Sequence, residues 1–102
     1  MSIPSHRRKL LTVITESALE KDLCADLDKW GAHGYTVTDA RGKGHQGSRE
    51  ASWDLSGNIR VEVVCTEEAA STIAEHLQGK YYAHYAMILY LSDVEVLRPG
   101  KF

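Results

Sequence analysis

Hydrophobic positions in this chain fall into two repeating patterns, one of period two and one of helical period. Residues 10–15, Leu-Leu-Thr-Val-Ile-Thr, are short, β-branched and apolar on both faces, which predicts a first strand. Ser17-Ala18-Leu19-Glu20 reads as a capping box, with Ser17 as N-cap and Glu20 answering it. Leu19, Leu23, Leu27 and Trp30 then recur at helical spacing, and Gly31 supplies the stop. Gly34 precedes a second strand at residues 35–40. Residues 58–65 alternate cleanly, with Ile59, Val61, Val63 and Cys65 on one face. Thr66 is placed to cap a second helix, Glu67 and Glu68 to favour its dipole, and Ala70, Ile73, Ala74, Leu77 and Tyr81 to form its buried stripe. A turn over residues 79–85 leads to a fourth strand, 86–91, apolar on both faces. Ser92-Asp93 predicts a break, followed by a short fifth strand at residues 94–97.

That order, two consecutive split β-α-β halves, predicts an α+β, ferredoxin-like βαββαβ domain with both helices on one sheet face. At 102 residues there is room for one domain, spanning 1–102, and one core. The other sheet face would alternate with polar residues if it met water. Strands one and four do not alternate, so self-association through sheet faces is expected. Residues 41–57 break every period: they hold Gly42, Gly44, Gly47, Gly57, three serines and charges of both signs. So long an unpatterned connection predicts a functional loop that is disordered without a ligand.

Charge and composition narrow the functions. Twelve Lys+Arg against fourteen Asp+Glu give a net −2, with no general pull towards nucleic acid. The third strand, Asn58-Ile59-Arg60-Val61-Glu62, lacks the stacking aromatics of an RNA-recognition domain. The first loop, Thr15-Glu16-Ser17, lacks the paired cysteines of a metal-transfer domain. Cys24 and Cys65 have neither disulfide-framework nor metal spacing and read as packing residues, which implies a reduced, cytoplasmic compartment. The basic residues 1–9 lack the apolar stretch of a secretory signal, and no run is long enough to span a bilayer. No nucleophile or oriented base is recognisable, so an enzyme is not expected. Arg60 and Glu62 are read either as a cross-strand pair or with Arg60 facing a ligand cleft, and His33 and His76 as exposed.

The run Gly34-Tyr35-Thr36-Val37-Thr38-Asp39-Ala40-Arg41-Gly42-Lys43-Gly44-His45-Gln46 resembles the PII signalling proteins. Their similar Gly-x-Thr-Val-Thr strand enters a long regulatory T-loop through a Gly-x-Gly. Residues 58–65 resemble the strand that leaves that loop, and Asp93-Val94-Glu95-Val96-Leu97-Arg98 resembles the family's last strand. The Gly-Tyr-Thr-Val strand, Gly-Lys-Gly and Lys-Tyr-Tyr turn are similar to PII-like regulators linked to bicarbonate transporters and carboxysomes. The resemblance implies a homotrimer that signals through a T-loop at about residues 41–57, with adenine nucleotide in clefts between subunits. It implies nucleotide contacts from Thr36, Gly42, Lys43, Gly44, His45, Gln46, Val64, Tyr82, His84, Tyr85 and Arg98. For bicarbonate it implies Gly44, Gln46 and Arg49.

The same resemblance implies a bicarbonate transporter or carboxysome-related protein as partner, the transporter bringing the protein to the membrane periphery. Two departures from the family pattern matter. The connection before the fourth strand is short, leaving fewer donors and cations for a third phosphate, so ADP or AMP is expected over ATP. The loop's only aromatic is Trp53, and there is no Cys-bearing C-terminal extension, so neither uridylylation nor a C-terminal disulfide is expected. A second reading, from another class, is a small trimeric metal- or ligand-binding protein of the copper-tolerance type, with His45 and His84 as ligands.

Overall fold

The computed structural model describes residues 3–42 and 57–102. Strands β1 (His6–Glu16), β2 (Thr36–Ala40), β3 (Asn58–Cys65) and β4 (Ile88–Val96) form one antiparallel sheet in the order β2-β3-β1-β4. Helices α1 (Glu20–Lys29) and α2 (Glu67–Tyr81) complete the βαββαβ order. The alternation of β3 carries through: Ile59, Val61, Val63 and Cys65 are all buried. They meet Leu11 and Val13 of β1 and the helix residues Leu23, Leu27, Ile73 and Leu77 in one core. Thr66 caps α2, its Oγ1 accepting from the Ala69 N–H at 3.2 Å. Gly31, with φ +93°, ends α1 in the left-handed region that glycine occupies at little steric cost.

Four local expectations are corrected. Ser17 is no helix cap: it opens a 3-10 turn, Ser17–Leu19, and among the described residues no side chain caps that turn or α1. Its N–H instead donates to the Gly57 carbonyl at 2.7 Å, one step beyond the Glu16–Asn58 pair, so it still serves the sheet. Residues 79–81 are helical rather than turn, because Tyr81 is the last buried residue of the α2 stripe and holds the final turn against α1. The first strand is longer than its apolar run and begins at His6. Ser92-Asp93 does not break β4, because both residues pair with β1 in a ladder that runs on to His6 and Val96, and there is no separate fifth strand. Asp93 lies opposite Lys9, whose Nζ is 2.6 Å from its carboxylate. That hydrogen bond holds the Asp93 carboxyl below its usual range and raises the Lys9 ammonium.

The two helices are joined by polar and aromatic contacts the pattern did not show. Asp26, buried on α1, accepts from the Tyr81 hydroxyl and from Lys80 Nζ at 2.7 Å, both on α2. Burial and then the Asp26 carboxylate push the Tyr81 phenol well above its ordinary pKa. Trp30, at the end of α1, stacks on His76 of α2 with ring centroids 4.7 Å apart, one turn along from the Asp26–Lys80 contact. Tyr81→Phe leaves the Asp26 carboxylate with one donor fewer in a buried place, at a cost of about 1–3 kcal/mol. Denaturant midpoints should therefore fall with the slope unchanged. A change below about 0.5 kcal/mol, typical of surface substitutions, would mean the hydroxyl is dispensable.

Candidate functional site

Side chains alternate across each strand, so the sheet face away from the helices carries Leu10, Thr12 and Ile14 of β1 and Ile88 and Tyr90 of β4. On the β2 and β3 half the same face carries Thr36, Thr38, Arg60 and Glu62. The face is thus divided: apolar towards β4, polar and charged towards β2. Ile88 is 44% and Tyr90 48% exposed, large for side chains of that kind on a strand.

A cavity of about 430 Å³ opens on the polar half, where β2 begins and β3 ends. Its floor is Thr36, Glu62 and Val64, and Thr36 pairs directly with Glu62 across the strands. One wall is the turn His33-Gly34-Tyr35 between α1 and β2. Tyr35 is steadied there by its hydroxyl, which donates to Asp28 Oδ2 at 3.4 Å; burial raises its phenol pKa. The opposite wall is Arg98, Lys101 and Phe102, from a 3-10 turn, Pro99–Lys101, that follows β4. Two cations, one carboxylate and two aromatic rings line one concavity within the usual 300–1,000 Å³ range of ligand pockets. Such a lining suits a ligand with a flat apolar part and an anionic part.

Of the residues the sequence singles out, Thr36, Val64 and Arg98 meet in this cavity. Gly42 lies at the other end of the sheet, in a cavity of about 250 Å³ with Arg41, Asn58, Arg60 and Ile88. Tyr82, His84 and Tyr85 belong to that end as well. α2 leaves β3 at Cys65 and returns to Ile88, which pairs with Ile14 beside the base of the loop. There the His84 and Tyr85 N–H groups both donate to the Tyr81 carbonyl, at 3.1 and 3.0 Å. Lys43, Gly44, His45, Gln46 and Arg49 fall outside the described residues. Arg60 and Glu62 line different cavities: Glu62 joins Thr36, and Arg60 joins Gly42. His33, Tyr35, Lys101 and Phe102 are additions from the structure, since no spacing in the sequence relates the chain end to the start of β2. Burial raises the thiol pKa of both Cys24 and Cys65, which argues against a nucleophilic role for either. Among the described residues no cluster of three or more His, Cys, Asp or Glu side chains is arranged to hold a metal ion.

Comparison with known proteins gives this geometry a family. The profile described as nitrogen regulatory protein P-II matches residues 8–101. A PII-like signalling protein from Thermus thermophilus shares 42% identity and a TM-score of 0.82, over 98% of this chain and 99% of that one. CPII from Thiomonas intermedia, bound to ADP and bicarbonate, shares 27% identity and a TM-score of 0.85, over 99% of both chains. A second structure of CPII, described as a nitrogen regulatory PII-like protein and bound to ADP, AMP and bicarbonate, matches at 25% identity and a TM-score of 0.81, over 99% and 98%. Sheet order, the cavity at the start of β2 and these matches agree, and the chain belongs to the P-II family.

Proposed function

We propose that this chain is a PII-like regulator, not an enzyme, that assembles as a homotrimer and binds ADP or AMP, with bicarbonate, in clefts between subunits. The observation that carries this reading is the division of the expected contacts between the two ends of the sheet. Thr36, Val64 and Arg98 share one cavity, and Gly42 and the turn at residues 82–85 lie at the far end. Asn58 and Val64, at the outer ends of the two cavities, are six strand residues or about 20 Å apart, while Arg60 and Glu62 at their inner edges are about 7 Å apart. A nucleotide held between two copies takes one of these sets from each. The CPII structures carrying ADP, AMP and bicarbonate support both ligand classes.

Occupancy would act through the loop that begins at Gly42. Bicarbonate is small and singly charged and could hardly repay the entropy of ordering a long loop alone. With nucleotide holding the loop's base, fewer residues remain to be fixed. The output is a report on adenylate and inorganic-carbon status to a bicarbonate transporter or carboxysome-related protein, in the cytoplasm or at the membrane periphery beside that transporter. Membership of the P-II family does not favour the copper-tolerance alternative.

Calorimetry with AMP, ADP and ATP, each with and without bicarbonate at constant pH and ionic strength, tests the proposal. ADP or AMP should bind more tightly than ATP, since α2 runs through Tyr81 and leaves only a short connection to supply donors for a third phosphate. Bicarbonate and ADP should each raise the other's affinity by one common factor, about 5–150-fold. Tight, magnesium-dependent ATP binding above the others would reverse the ranking. Equal ADP affinity in both buffers would remove bicarbonate, and no adenylate binding at all would overturn the function.

A further inference from the structure

One wall of the 430 Å³ cavity does not belong to the sheet. β4 is an edge strand, next to β1 and two strands away from the cavity floor. The chain leaving β4 at Val96 has to cross β1 before Lys101 and Phe102 can face Val64 and Thr36. It crosses as one 3-10 turn, in which the Lys101 N–H donates to the Arg98 carbonyl at 3.1 Å and the Phe102 N–H to the Pro99 carbonyl at 3.2 Å. So short a turn is not stable by itself in water. Arg8 supplies the support. It is half-buried and stands on the same side of β1 as Leu10, beneath the crossing. Its Nη1 donates to the Arg7 carbonyl at 2.9 Å, which sets the guanidinium plane against β1. Its Nε reaches the Phe102 carbonyl and its Nη2 the Pro99 carbonyl, each at 3.5 Å. A planar fork can serve three carbonyls in fixed directions, and an ammonium cannot.

We propose that Arg8 is a positioning residue for the ligand cavity: it carries the C-terminal turn across the sheet and thereby sets Phe102 and Lys101 as the cavity wall. The proposal rests on the reading that this cavity receives adenine nucleotide. Arg8 does not line the cavity itself and acts through the turn. Phe102 presents a flat apolar surface suited to a purine ring, and Lys101 places a second cation near Arg98.

The test compares wild type, Arg8→Ala, Arg8→Lys, Phe102→Ala and the double variant Arg8→Ala/Phe102→Ala, each first shown to keep the wild-type particle mass. Without nucleotide, backbone order parameters at Lys101 and Phe102 should be near 0.85 in wild type and below about 0.6 in Arg8→Ala. ADP should bind about tenfold more weakly to Arg8→Ala, with Arg8→Lys recovering little of the loss. The double variant should bind no more weakly than the worse single variant, because both changes remove the same wall. Unchanged order parameters in Arg8→Ala, or losses that add in the double variant, would overturn the proposal. A wild-type protein indifferent to ADP would refute the nucleotide reading instead, and the order parameters would still decide whether Arg8 holds the turn.

Discussion

Tyr90→Asp is expected to convert a particle of about three times 11.4 kDa into a folded monomer with no measurable ADP affinity. Tyr90 sits opposite Thr12, near the middle of the sheet's open face. Ile88 lies one step away on the same face, with Leu10 and Ile14 across the ladder on β1. In a single copy these side chains meet water, with Ile88 and Tyr90 close to half exposed, so an aspartate at position 90 costs the isolated fold only about 1 kcal/mol of strand preference. In an assembly that buries the face, the same carboxylate loses its hydration without a partner, and the penalty is several kcal/mol per ion in each of three subunits. Assembly should therefore fail long before folding does. Because the proposed site draws on two copies, ADP affinity should disappear with the trimer. Sedimentation at micromolar concentration, with far-ultraviolet circular dichroism to show that the fold persists, checks both halves. A wild-type monomer would remove the cleft, and a trimeric Tyr90→Asp would show that this face is not the interface.

The hydrophobic pattern carried the fold where one residue's choice was made by its neighbours in sequence. β3 reads directly from the alternation of Ile59, Val61, Val63 and Cys65, and Thr66 and Gly31 fix helix ends through local hydrogen bonding and backbone conformation. The pattern misplaced boundaries decided by a distant partner. Arg8 and Lys9 look like a solvated basic tail until β4 is laid beside them, and Asp93 looks like a strand breaker until Lys9 is opposite. Ser17 has the chemistry of a cap, but its N–H is taken by Gly57 across the base of the loop. His76 gave no signal at all, since its stacking partner Trp30 lies far away in sequence, just past the end of α1. The candidate site was less legible than the fold. Thr36, Val64 and Arg98 came from family resemblance alone, and the physical reason they share a cavity is the cross-strand register together with the tail that returns over β1.

That division of residues between the two ends of the sheet leads to a result which no single-chain site could give. Arg98→Ala should weaken ADP binding by about tenfold to a hundredfold, as expected when one charge-assisted contact worth about 1.5–3 kcal/mol is lost. Lys43→Ala, at the opposite set of expected contacts, should produce a loss of similar size. When the two defective proteins are dissociated, mixed in equal amounts and reassembled, the subunits distribute at random around the three-fold ring. On the proposed reading, each cleft takes its Arg98 from one subunit and its Lys43 from the next. A cleft is intact when an Lys43→Ala subunit supplies Arg98 and an Arg98→Ala neighbour supplies Lys43, which random assembly yields in about one cleft in four. Calorimetry on the mixture should then show a tight class of sites at about a quarter of the total, with wild-type affinity, beside weaker classes. If both residues served one site within one chain, every subunit would still carry its own defect, and no mixing ratio would restore a tight site. Recovery on mixing thus distinguishes an inter-subunit cleft from a single-chain pocket even where the two substitutions alone look identical.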